Sequence, residues 1–450
     1  ERLFGPRHRW TAIGMSALIF LAAFEAMAVT AVMPSVAEEL DGTALYALAF
    51  AGPLAVSVVG MIVAGNAADR GGPRLALLGS VALFVAGLLI AGLAVDMPQL
   101  VIGRLVHGLG GGGLTVALYV LVARLLPAAL QPAIFAAFAA AWVVPSLVGP
   151  FVAGVVADGI GWPWVFLGVT VLVVPALAMI APSLRRMPAA SLDERPPWNL
   201  ARIAWAALAG AAVLALNLAT GVDGWLGWAL PAAAVAVILV AVRPMVPAGT
   251  LRAVRGLPAA VATRGLIAGA FFGAQVYLPL LLTGETYGLS TSMAGLVLTV
   301  GGVAWAISSQ IQGRNPERLT HERTLRIGLT LLGLAIAVAL VATLAQWHPV
   351  AFMVAWTLAG GGMGIMYPRT TVIGLQSSTP ATQGSVSSAM AVSDALGAAV
   401  AIALTALVAA ALAPAGAVAS VGGALAAALG VWALALAAGL RAHVQRPAVD

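Results

Sequence analysis

The sequence predicts an all-α integral membrane protein of about fourteen spans, and three observations predict it. Of 450 residues, 62% are apolar and only 8% are charged, where soluble proteins carry about a quarter charged residues. The apolar residues fall in continuous runs of about 20, the length that crosses a hydrocarbon core of ~30 Å as a helix. The charges gather in the gaps between runs, Arg in one set and carboxylates in the alternate set. The first observation excludes a soluble fold. The second excludes a membrane β-barrel, whose strands alternate apolar and polar over ~10 residues.

In chain order, helices are expected at 10–36, 44–68, 73–95, 97–125, 130–157 and 162–182. The most polar stretch follows, 183–202, with Arg185, Arg186, Asp193, Glu194, Arg195 and Pro196-Pro197. Two charge-free runs come next, 203–222 and 224–242, separated by Gly221-Val222-Asp223-Gly224. A last group spans 257–283, 290–311, 324–345, 349–375, 382–411 and 417–440. The pattern is six, two, six. It implies an N-terminal bundle (1–182), a cytoplasmic linker (183–202), an inserted hairpin (203–245) and a C-terminal bundle (246–450).

Arg placement sets the expected orientation, because basic loops stay in the cytoplasm. With the N-terminus inside, the Arg70/Arg74 loop, Arg124, the 183–202 cluster, Arg243 to Arg255, Arg314 to Arg326 and the tail from Arg441 all face inward. Glu38, Glu39, Asp41, Asp96, Asp158, Asp223 and Glu285 occupy the outer loops, which hold no Arg. Dropping one middle run would invert the second half. Dropping both would not, so twelve spans with a surface hairpin is the alternative to fourteen. A multi-pass protein of the cell membrane with both termini cytoplasmic is expected.

The net charge of +6 is then a matter of topology rather than nucleic-acid binding, and all 22 basic residues being Arg reflects coding bias. The absence of Cys rules out disulfide and thiolate chemistry. The first residue is Glu, so a trimmed start is expected, and residues 10–36 are too long for a signal peptide. No phosphate-binding loop, nucleophile elbow, H-E-x-x-H or Cys/His cluster is present. Neither an enzyme nor a cofactor is expected, and an ion gradient or the substrate's own gradient must supply energy.

Four motifs lie in order across the first half. Gly65-Asn66-Ala67-Ala68-Asp69-Arg70-Gly71-Gly72-Pro73-Arg74 joins spans two and three. Leu100 to Gly112 opens span four, with Arg104 and with His107 ahead of Gly108. Pro145-Ser146-Leu147-Val148-Gly149-Pro150-Phe151-Val152-Ala153-Gly154 lies in span five, followed by Trp162-Pro163-Trp164-Val165-Phe166. Phe24-Glu25 stands nine residues before Pro34. Together these resemble the major facilitator superfamily, and in particular its 14-helix drug:proton antiporters. The first resembles the family's G-x-x-x-D-R-x-G gate signature, departing at Ala67 and Pro73. The second resembles L-x-x-x-R-x-x-Q-G-x-G with His107 in the Gln place. The third resembles the antiporter motif G-P-x-x-G-G with Ala153 for one Gly. Glu25 falls where that group has an acidic residue, usually Asp. By motif the resemblance covers residues 20–166 and by helix pattern the whole chain; Gln312-Gly313-Arg314 is a weak echo of a second gate loop.

The resemblance implies a gating role for Gly65, Asp69, Arg70, Gly72 and Arg74. It implies an exporter's helix seam at Pro145, Gly149, Pro150 and Gly154, where small residues allow close packing and proline bends the helix.

Intramembrane charges are costly and mark function. From the 1.5 Å rise, Glu25, Arg104 and Asp394 all fall roughly 20 Å above the inner face. Desolvation favours a neutral Glu25 and a nearby Arg104 an ionised one, so the pair suits proton coupling; a static packing pair is the alternative. Asp394 has no basic neighbour in its own helix and could be a second proton site, select cations, or be neutral and bonded to Ser or backbone. His107, one turn from Arg104, could relay protons or simply pack. Arg264 and Arg369 are expected to snorkel to headgroups. Phe20, Phe24, Trp142, Gln275, Tyr277, Trp305, Trp356 and Tyr367 are candidates for an apolar cavity wall. Trp10, Trp162, Trp164, Trp225, Trp228 and Trp347 read as interface belts.

The sequence therefore points to a monomeric, proton-coupled exporter of hydrophobic or cationic small molecules that alternates access by rocking two bundles. A lipid or glycolipid exporter is the alternative within transport, with an importer or uniporter further off. A non-transporting receptor or scaffold is the alternative of another class.

Overall fold

A computed structural model of the chain describes residues 3–6, 8–127, 130–185, 187, 197–219, 222, 225–314, 319–377 and 383–442. The expected features at Arg186, Asp193 to Arg195 and Asp223 lie outside these residues. Within them no strand occurs, and the chain runs as helices α1 (Arg9–Glu39), α2 (Tyr46–Gly71), α3 (Pro73–Gly92), α4 (Met97–Leu125), α5 (Gln131–Ile160) and α6 (Pro163–Arg185). Two further helices follow, α7 (Leu200–Leu218) and α8 (Leu226–Ala241). The chain continues with α9 (Leu257–Gln275), α10 (Tyr277–Thr283), α11 (Thr291–Arg314), α12 (His321–Leu344), α13 (Val350–Gln376), α14 (Gln383–Leu412) and α15 (Ala417–Gly439). Among the described residues thirteen stretches are long and apolar enough to cross a membrane, counting α9 and α10 as one. The shorter α8 has 16 residues, ~24 Å of helix at 1.5 Å per residue.

Local chemistry explains the boundaries. Asp96 caps α4 by accepting from the Gln99 amide at 2.8 Å, and Asn199 caps α7 through the Arg202 amide at 3.1 Å. Between α2 and α3 the turn passes through Gly72 at φ +83°, a conformation that favours glycine, and Pro73 then opens α3 with its φ already helical. The expected span 257–283 is two helices, because Pro279 cannot donate to the Gln275 carbonyl and the helix breaks at Val276. The Val276 carbonyl at that break accepts the Tyr46 hydroxyl of α2 at 2.8 Å.

Helix packing relies on backbone-to-backbone approach. α4 lies between α2 and α3: a Cβ on Gly108 would stand 2.4 Å from the Pro53 carbonyl oxygen, and one on Gly87 would stand 2.2 Å from the His107 amide nitrogen. Helices α1–α6 meet α9–α15 at the end that carries the acidic loops. There Ser35 bonds Thr291 at 2.9 Å, and Asp158 of α5 accepts from the Ser292 amide in the first turn of α11 at 3.1 Å. A carboxylate at a helix N-terminus complements its dipole. At the basic end, Arg202 of α7 bonds Ser388 of α14 at 3.2 Å.

Candidate functional site

The N-terminal charges converge. Glu25 on α1 is ion-paired with Arg104 on α4, and both are buried, at 1% and 5% exposure. His107, one turn along the same α4 face, brings Nε2 to 3.1 Å from the other Glu25 oxygen, without the alignment of a hydrogen bond. Its Nδ1 lies 3.5 Å from Arg104 Nη1, and its ring packs on Phe84 at 4.6 Å between centroids. One carboxylate thus faces a permanent cation and a titratable ring.

Arg104 has a further anchor that the sequence reading missed. Its Nε donates to the Ala49 carbonyl on α2 at 3.1 Å. Pro53, four residues on, has no N–H to give that carbonyl. The signal was present: a proline four residues after a small residue in a span exposes one acceptor inside the membrane. Apart from this cluster α1 and α4 barely touch; α1 packs on α5 and α6, and α4 on α2 and α3.

The C-terminal half holds a second charged cluster, and it corrects two expectations. Arg264 on α9 does not snorkel away; its Nε donates to Asp394 Oδ1 on α14 at 3.1 Å. Asp394 therefore does have a basic partner, 130 residues away in sequence. Tyr367 of α13 donates its hydroxyl to Asp394 Oδ2 at 2.5 Å, and its ring lies 3.4 Å from the Arg264 guanidinium carbon. Arg369 does not snorkel either: it is buried, and the Gln312 amide, oriented to offer its oxygen, accepts from the guanidinium at 2.8 Å. The side chain of Arg314 is not among those described.

The aromatic candidates divide. Tyr367, Trp305, Phe271 and Trp356 form a chain of ring contacts at 5.3, 5.5 and 5.7 Å. Tyr367 and Trp305 are half-buried, whereas Trp356, Gln275 and Tyr277 lie inside the bundle, with Trp356 donating to Gln275 at 3.3 Å. Phe20 and Phe24 are half-buried on α1, and Trp142 is exposed on α5. Of the expected belt, Trp10, Trp164, Trp225 and Trp347 are exposed. Trp162 is not: it is buried and donates to Glu39 at 2.9 Å, because its indole N–H closes the α1 end against α6. Trp228 is outside the described side chains.

The proline- and glycine-rich stretch of α5 forms a seam with two helices. Gly149 leaves room for Phe24 and Met27 of α1, and a Cβ on Gly154 would stand 2.5 Å from the Ser292 Cα of α11. Pro150 leaves the Ser146 carbonyl without its helical donor, and Gly302 of α11 approaches that oxygen so closely that a Cβ would sit 1.8 Å away. Pro145 bends the same helix. In the 65–74 stretch, which is the last two turns of α2, Gly72 and the start of α3, Gly65 faces Val116, Asp69 and Arg74 are exposed, and the Arg70 guanidinium lies over the Trp198 ring at 5.4 Å. The Asn66 side chain accepts from the Asn199 amide at 2.9 Å, so the end of α2 meets the start of α7. Among the described residues no cluster of His and carboxylates could hold a metal.

Comparison with known proteins bears on the family and the fold. The family model described as Major Facilitator Superfamily matches residues 15–402. A probable multidrug-efflux transporter of Mycobacterium tuberculosis is 27% identical over 427 residues, covering 88% of this chain and 87% of that protein. An MFS-type efflux pump of a Fusarium species is 26% identical over 233 residues, covering 50% of this chain and 40% of its own. Among solved structures, a peptide transporter POT in complex with sulfate aligns with TM-score 0.69 at 17% identity, over 97% of this chain and 95% of that one. A D-xylose-proton symporter aligns with TM-score 0.61 at 16% identity, over 89% of each chain. At such identities the structures share the fold.

Proposed function

The chain belongs to the major facilitator superfamily, and from that premise we propose that this multi-pass membrane transporter is a proton-coupled exporter of hydrophobic or cationic small molecules. It is a transporter and not an enzyme. The observation that carries the coupling is the buried Glu25 carboxylate, held by Arg104 and faced by His107. Export is supported by the efflux relatives and by the α5 seam, which resembles the antiporter motif.

The mechanism follows from which contacts a proton can break. Ionised Glu25 draws α1 onto Arg104 of α4 across a seam with little other packing. A proton on Glu25 removes the ion pair; Arg104 retains the Ala49 carbonyl, so α4 stays on α2 while α1 is released toward α5. A proton then has differential affinity for two helix arrangements, which is the requirement for coupling. The α5–α11 seam supplies the surface on which the two bundles rock. The protein functions as a monomer in the cell membrane with both termini cytoplasmic, and α7 and α8 are an inserted pair that steadies α2 and α14. Proteoliposomes with an imposed pH gradient, assayed with tetraphenylphosphonium and with a neutral dye under a clamped potential, test this. Gradient-dependent accumulation supports the reading; equal fluxes with and without the gradient refute it.

A further inference from the structure

The two intramembrane ion pairs are not equivalent. Glu25 and Arg104 have 2% and 7% of their side chains exposed, whereas Asp394 and Arg264 have 27% and 15%. The first pair is sealed and the second is accessible. Arg264 is also held far more elaborately than an ion pair needs. Its Nη1 is shared by the Tyr367 carbonyl at 3.1 Å, Thr370 Oγ1 at 3.2 Å and Thr371 Oγ1 at 2.8 Å, and its plane lies over the Tyr367 ring. All of these anchors are on α13. The Nε of the opposite edge goes to Asp394, and the Tyr367 hydroxyl stands within reach of the same guanidinium.

The fork formed by Nε and Nη2 is the edge of a guanidinium that takes a carboxylate, sulfonate or phosphate with two parallel bonds. Asp394 occupies half of it. Of the two partners only Asp394 can take up a proton; Arg264 keeps its charge. A proton on Asp394 frees the fork, while Thr370, Thr371 and the Tyr367 ring keep the guanidinium in place. Beside it stands the aromatic wall of Tyr367 and Trp305.

We propose that Arg264, gated by Asp394, is a binding site for the oxyanion head of an acidic aromatic amphiphile, whose apolar body lies against Tyr367 and Trp305. This adds a substrate class to the export reading and rests on it for the direction of passage. It also replaces cation selection by Asp394, which the Arg264 charge neutralises. The groups around Asp394 fit a single switch. α9 brings Arg264; α13 brings Tyr367 and also carries Arg369, which is engaged by Gln312; α7 brings Arg202, bonded to Ser388 six residues below on α14. Tyr119 of α4 lies within electrostatic reach of Arg264. α15 has no titratable side chain, and those of α2, namely Tyr46, Asp69 and Arg70, sit at its ends.

The test is equilibrium binding to the full chain in phosphatidylcholine nanodiscs, with no gradient, so that its outcome is independent of whether export occurs. The probes are naphthalene-2-sulfonate, ionised at every pH used, and the neutral 2-naphthyl methyl sulfone. Wild type should bind the sulfonate more weakly than Asp394→Asn does, and the sulfone as well as Asp394→Asn does. Arg264→Gln should lose sulfonate affinity about tenfold or more, the worth of a charge-assisted fork. It should keep the sulfone, which shows that the variant is folded. Asp394→Asn, which removes the competing charge from the fork, should bind the sulfonate about tenfold or more tighter than wild type. Competition by phosphatidylglycerol would assign the head group to a lipid, and its failure to a soluble amphiphile; both keep the oxyanion site. The proposal is overturned if Arg264→Gln binds the sulfonate as wild type does, or if Asp394→Asn loses it.

Discussion

Replacing Glu25 by Gln removes one charge and one proton site while keeping the shape of the side chain. In the structure Arg104 then retains the Ala49 carbonyl but loses its only ion-pair partner among the described residues. Removing one member of a buried pair costs about 3–5 kcal/mol. The surviving amide oxygen and the Ala49 bond place this variant at the lower end of that range, within the stability of a domain. The effect on transport is sharper. Each pH unit is worth about 1.4 kcal/mol per proton. One proton per substrate therefore sustains up to about tenfold accumulation for each unit of gradient. Wild-type proteoliposomes at clamped potential should approach that ratio with a neutral dye, and Glu25→Gln should give equal concentrations on both sides. Binding of the dye should persist in the variant and no longer vary with pH. Continued accumulation by Glu25→Gln against the dye gradient would refute the reasoning, with Asp394 the next carboxylate to examine.

Other outcomes follow from the same geometry. Arg104→Ala should lower thermal stability, and the Glu25→Gln/Arg104→Ala double variant should lose less than the two singles together by about 1–3 kcal/mol, since it leaves no orphan charge; strict additivity in thermal melts would argue against the pair. Gly302→Ala places a methyl carbon against the Ser146 carbonyl and should force α11 from α5. Transport should fall about tenfold or more, the consequence of a close seam overpacked by roughly 1–3 kcal/mol, with increased reactivity of a Cys placed at Ser35. Tyr46→Phe removes the hydroxyl that serves the Val276 carbonyl at the α9–α10 break and should cost about 0.5–1.5 kcal/mol in denaturation experiments. Asp223→Cys, in a chain without other Cys, should react with an impermeant thiol reagent added outside intact cells; protection there would sink the fourteen-span topology.

Sequence alone determined the helical class and the order of the helices, and it singled out Glu25 and Arg104, which the structure pairs. Length and apolarity decide a span, and the fixed rise of a helix turns position along it into depth. His107 was legible beside Arg104 because residues three apart share a helix face. Rotation of one helix against another is not encoded by any local rule, and there the tertiary structure decided. Arg264 on its own helix could as well reach a headgroup as a carboxylate; only the packing of α9 on α14 and α13 turns it toward Asp394 and Tyr367. Trp356 reads as a cavity aromatic or a lipid-facing one, and only the bundle interior places it against Gln275. Pro53 shows where the two meet. The sequence exposes the Ala49 carbonyl, because proline has no N–H. The approach of α4, allowed by Gly108, decides that Arg104 is the group that takes it.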